Sequence, residues 1–136
     1  MRHLLPYVFA VLLAGCATNS ANMQVGTEQS YTSLGDQRAA VRSIAVADTV
    51  PEGATVMGEV DASRCHRNVL DKPPTNDEVR TDLIVAAYAR GADGIAGVQI
   101  SEEVASALLK NCWMTLVGKA TMFRADPRIP KKENTP

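Results

Sequence analysis

Aromatic side chains make up only 4% of this 136-residue chain: one Trp, three Tyr and two Phe. Tyr7 falls in the N-terminal apolar run, so the rest has little material for a base-stacking platform of the kind single-strand nucleic-acid binders use. An excess of one charge is lacking too. Fourteen Lys and Arg stand against 15 Asp and Glu, for a formal net charge of -1. The charges are mixed along the chain and leave no face of nucleic-acid type. Cysteine is scarce, and the three present form neither the C-x-x-C of thiol exchange nor the C-x₂₋₄-C spacing of zinc sites. Cys65-His66 with Cys112 is the nearest approach to a metal set, without zinc spacing. As a nucleophilic pair it fails as well, because neighbours in an extended segment point apart and no third orienting group is identifiable. We therefore expect no catalytic, cofactor or metal residues. No apolar run approaches the roughly 20 residues of a membrane-spanning helix.

What is present begins with Leu13-Ala14-Gly15-Cys16. Arg2 and His3 make a short basic start, Leu4 to Leu13 is apolar apart from Pro6 and Tyr7, and two small residues precede the cysteine. That is the layout of a secretory signal, residues 1–15, ending in a lipobox. The expectation is cleavage before Cys16 and acylation of its sulfur and new amine, with two or three lipid chains giving stable anchoring. The next residue is Ala17 rather than the Asp that retains lipoproteins in the inner membrane. The expected location is thus the outer membrane, with the domain in the periplasm and membrane lipid held through Cys16.

Roughly 120 residues remain, one domain by length. Residues 16–40 are rich in Asn, Ser, Thr, Gln and Gly and read as a flexible tether. The domain is expected over residues 41–124. Val41 to Ala47 reads as a first strand, closed by the turn signal Val50-Pro51-Glu52-Gly53. Thr55 to Asp61 reads as a second, with Val56, Gly58 and Val60 on one face. Arg64 to Pro74, with its charges and Pro73-Pro74, reads as a loop. Thr75-Asn76-Asp77-Glu78 has the form of a capping box, and Val79, Leu83, Ile84, Ala87 and Tyr88 recur at helical spacing. Gly91 supplies the stop. Gly94 to Ile100 and Trp113 to Phe123 read as the last two strands, joined by Ser101 to Asn111 with a helical turn near Val104 to Leu109. Residues 125–136, with three prolines and a basic bias, read as a disordered tail. Gly91-x-x-Gly94-x-x-Gly97 leads from a helix into a strand, the reverse of a phosphate-binding loop, so Asp93 reads as a turn residue. The expected fold is α+β: a small ββαββ sheet domain, disulfide-linked, with one main helix packed on the sheet.

Cys65 and Cys112 remain as a pair once Cys16 is acylated, and an oxidising compartment favours their bonding. The third strand follows a helical crossover parallel to the second, and the fourth returns. The end of the second and the start of the fourth therefore meet at one side of the sheet. Such a bond closes a loop of about 47 residues, for which chain entropy gives roughly 4 kcal/mol.

Gly58-Glu59-Val60, Cys65, Pro73-Pro74, the helix, Gly91-Ala92-Asp93-Gly94-Ile95, and Cys112 with Gly118-Lys119-Ala120 together resemble the RcsF-like outer-membrane lipoproteins, the envelope-stress sensors of the Rcs phosphorelay. The resemblance spans roughly residues 55–123 and the lipobox. It implies a non-enzymatic stress-sensing lipoprotein whose partners are an inner-membrane regulator of the relay and outer-membrane β-barrel proteins. It also implies that Cys65 and Cys112 match one of the family's two nonconsecutive disulfides. The positions of the other pair fall near Ser101 and Val117.

Overall fold

The computed structural model describes residues 22–24, 33–67, 70, 72–103 and 112–126. Along them run β1 (Asn22–Gln24), α1 (Leu34–Ser43), β2 (Ala45–Ala47), β3 (Thr55–His66), α2 (Asn76–Ala89), β4 (Gly94–Glu102) and β5 (Met114–Arg124). The strands form one mixed sheet in the order β1-β3-β5-β4-β2. The last strand thus lies in the middle, antiparallel to both β3 and β4. β3 and β4 run the same way, as a strand-helix-strand crossover requires, but β5 separates them.

The capping box forms as its sequence predicts. Thr75 Oγ1 accepts from the Glu78 amide at 3.3 Å, and the Glu78 carboxylate accepts from the Thr75 amide at 2.7 Å. Val79, Leu83, Ile84 and Ala87 are buried against the sheet, where Val60, Ile95, Ala120 and Met122 complete the core. At Gly118 α2 comes close to β5: a Cβ there would stand 2.6 Å from Val79 Cγ1 and 3.0 Å from Leu83 Cδ1. Glycine lets the helix sit down on the central strand.

Three expectations need correction. The stretch expected as tether, residues 16–40, contains β1 and most of α1. Ser33 caps α1 by accepting from the Asp36 amide at 3.1 Å, and of its ten residues only Ala40 is buried, so no apolar stripe announced the helix. The first strand, expected over Val41 to Ala47, is only Ala45–Ala47, because Val41 to Ser43 belong to the last turn of α1 and Ile44 caps it. The second strand does not stop at Asp61 but continues to His66, so Arg64, Cys65 and His66 lie in a strand rather than a loop. Polar residues there follow from pairing on both sides, with β5 and with β1.

A smaller correction concerns faces. The register shifts between Val56 and Gly58, a bulge that puts Val56 opposite Phe123 and Gly58 opposite Met122. Val56 therefore lies on the face away from the helices and is 57% exposed. The lipobox and signal, the helical turn near Val104 to Leu109 and the tail from residue 127 lie outside the described residues. No helix among the described residues is long and apolar enough to cross a membrane.

Candidate functional site

The two predicted cysteines meet. Cys65 and Cys112 are disulfide-bonded, with Cα atoms 5.6 Å apart. β3 and β5 pair from Thr55 opposite Arg124 to His66 opposite Met114, so the C-terminal end of one and the N-terminal end of the other share one end of the sheet. The Trp113 amide donates to the His66 carbonyl at 2.7 Å, extending the ladder one step, and Cys112 then reaches back to Cys65. Cys65 is fully buried, while Trp113 beside the bond is 71% exposed.

Successive side chains of β3 point to opposite faces, and both faces of this end are fixed. On the helix face the Arg64 guanidinium grips the Asp82 carboxylate of α2 through Nε to Oδ2 at 2.6 Å and Nη2 to Oδ1 at 3.0 Å. The Asp82 hydrogen bond raises the Arg64 pKa above its ordinary value; burial opposes this, and the charges of Asp82 and then Glu78 add to the rise. On the other face stand Ser63, Cys65 and, opposite Cys65 in register, Thr115. Thr115 is fully buried, and among the described residues its Oγ1 is a buried side-chain atom without a hydrogen-bond partner.

Sequence reasoning passed over the Arg64–Asp82 pair, although a signal was available. Asp82 lies three residues after Val79 and one before Leu83, on the apolar side of the helix, where a carboxylate needs a cationic partner.

The bond between Cys65 and Cys112 leaves no free thiol on either for metal binding or nucleophilic attack. Among the described residues no group of three or more His, Cys, Asp and Glu is placed to hold a metal ion. Asp93, in the turn after α2, organises the opposite end of the sheet. Its amide donates to the Phe123 carbonyl at 3.0 Å, its carbonyl accepts from Ala45 at 3.0 Å, and its Oδ2 accepts from the Ala125 amide at 3.1 Å. Gly91 takes φ +73°, and the Phe123 ring lies where a Cβ on Gly94 would have to be. The Gly-Ala-Asp-Gly-Ile segment is thus a structural corner. Ser101 and Val117 stand directly opposite each other on β4 and β5. Cys16 lies outside the described residues.

Compared with models of known protein families and with curated proteins, the chain matches none.

Proposed function

We propose that this chain is an outer-membrane lipoprotein without enzymatic activity, held in the bilayer by acylated Cys16, whose periplasmic domain senses envelope stress and signals to an inner-membrane phosphorelay of the Rcs kind. The observation that carries this reading is the Leu13-Ala14-Gly15-Cys16 lipobox at the end of its apolar run. The Cys65–Cys112 disulfide supports the export step, since such bonds persist in oxidising compartments. The motifs shared with the RcsF-like family support the sensing step, with an inner-membrane regulator and outer-membrane β-barrel proteins as partners.

A second reading, a structural or binding lipoprotein of the same fold without a signalling role, is favoured by one observation. The facing pair Ser101 and Val117 carries no cysteine, so the second bond implied by the resemblance is missing.

Two measurements separate these readings. Radioactive fatty acid should label the wild-type chain and not Cys16→Ala. In cells carrying an Rcs-type relay, deletion of this chain should abolish induction of a relay reporter by an outer-membrane-damaging cationic peptide. Labelling with an unchanged reporter response leaves the structural or binding reading, and equal labelling of Cys16→Ala refutes both.

A further inference from the structure

β4 is unevenly covered. On one side it pairs with β5 along its length, from Gly94 opposite Phe123 to Glu102 opposite Leu116. On the other side β2 covers only Gly94 to Ala96. Beyond Ala47 the chain turns away through Asp48 and the Pro51-Glu52-Gly53 turn, where Gly53 has φ +78°. Among the described residues nothing pairs with β4 past Ala96 on that side.

The backbone polarity of the open stretch follows from the ladder. The Glu103 amide donates to the Thr115 carbonyl at 2.9 Å, so with antiparallel alternation Gln99 and Ser101 also aim their amides and carbonyls at β5. Val98, Ile100 and Glu102 then present theirs to the open side. The register shift between Ala96 and Gln99, with Gly97 at φ +62°, is where the alternation reverses.

Beside this edge lies a cavity of about 550 Å³, lined by the end of β2, by Gly97 to Ile100, and by Asn76, Asp77 and Arg80 of the first turns of α2. Val46, Val98 and Ile100 give it an apolar floor. Asp48 and Asp77 stand on its walls, and Glu102 and Glu103 continue the edge. Two carboxylates and one guanidinium, that of Arg80, thus line the cavity, and Glu102 adds a third carboxylate along the open edge.

We propose that the β4 edge from Val98 to Glu102 binds an extended basic peptide of a partner protein as an added strand. Its backbone pairs with the outward amides and carbonyls of Val98, Ile100 and Glu102, the mode by which exposed sheet edges take extended ligands. Alternate side chains enter the cavity, small aliphatic ones over Val98 and Ile100. Lys or Arg residues meet Asp48, Asp77 and Glu102. A second copy of this chain is the wrong occupant, because pairing two β4 edges would set carboxylates against carboxylates. The inference is independent of the signalling reading.

The test uses the full chain in detergent and three labelled peptides followed by fluorescence anisotropy: a lysine–valine peptide in which lysine and valine take turns at every second position with threonine between them, so that both reach one face, its glutamate–valine counterpart, and the lysine–valine peptide N-methylated at every amide. The lysine–valine peptide should bind in the micromolar range. The glutamate version and the N-methylated version should each bind at least tenfold more weakly. Asp48→Asn with Asp77→Asn, checked for an unchanged near-UV spectrum, should cost the lysine peptide at least fivefold. Equal binding of the N-methylated peptide would overturn strand addition. Equal binding of the glutamate peptide, or no loss in the Asn variant, would overturn the basic specificity. A chain that sediments as a dimer and binds no peptide would assign the edge to self-association and overturn the proposal.

Discussion

Two side chains at the disulfide end of the sheet make opposite demands on stability. Asp82 is 8% exposed and its stability depends on the two-pronged grip of Arg64. Asp82→Ala leaves a half-buried guanidinium without its partner, which by the cost of breaking such pairs should remove about 2–3 kcal/mol. Arg64→Lys keeps the charge but loses the fork and should cost about 1 kcal/mol. Thermal unfolding of the two variants orders them. Folding raises the Arg64 pKa, so its contribution is complete below the value of a free guanidinium and fades only as pH climbs through the folded value. The deficit of Arg64→Lys should therefore be constant from about pH 6 to about pH 9. Thr115 is the reverse case. Among the described residues its buried hydroxyl has no hydrogen-bond partner, and a valine of the same shape removes the desolvation penalty. Thr115→Val should leave stability unchanged or raise it by about 1 kcal/mol, and a fall in melting temperature would contradict the unsatisfied hydroxyl.

At the scale of elements, what could be read from the sequence was what rests on local chemistry. The capping box at Thr75, the apolar repeat through Ala87 and the Gly91 stop each act within a few residues, and α2 forms over Asn76–Ala89. The disulfide was legible because chain direction alone brings the end of β3 to the start of β5. What escaped depends on partners far along the chain. α1 buries only Ala40 and is held by its Ser33 cap and by packing on α2, so its sequence carries no stripe. The last residues of β3 look like a loop until β1 and β5 flank them, and the placement of β5 between β3 and β4 is set by packing and not by any local signal. The same register makes a prediction. Ser101 and Val117 form a facing pair of the hydrogen-bonded kind, with Cα atoms near 5.5 Å apart, inside the range a disulfide spans. The double variant Ser101→Cys with Val117→Cys should therefore form a second bond on air oxidation. Peptide mapping of unreduced protein should join the two positions, and a register slipped by one residue would leave both thiols free.

For the molecule as a whole, the Cys65–Cys112 bond acts on folding, and the acyl chains proposed for Cys16 act on location. The bond closes a 47-residue separation, and losing it should cost up to about 4 kcal/mol in the chain-entropy model. That is a large share of the margin of a domain this small, so Cys65→Ser with Cys112→Ser should melt many degrees lower. Cys16 precedes the first described strand by six residues, so its replacement should leave that melting point alone. What it should remove is the proposed anchor. Each buried methylene of an acyl chain adds about 0.8 kcal/mol of membrane affinity; one chain is marginal, and two or more hold firmly. Cys16→Ala should therefore take up no labelled fatty acid and should fail to acquire the multi-chain anchor, while intact mass after alkylation without reduction still finds Cys65 and Cys112 bonded. If Cys16→Ala carried label at the wild-type level, the anchor would lie elsewhere and the outer-membrane placement would fall with it. If the label vanished but the disulfide went with it, the two attachments would be coupled, contrary to their separation along the chain.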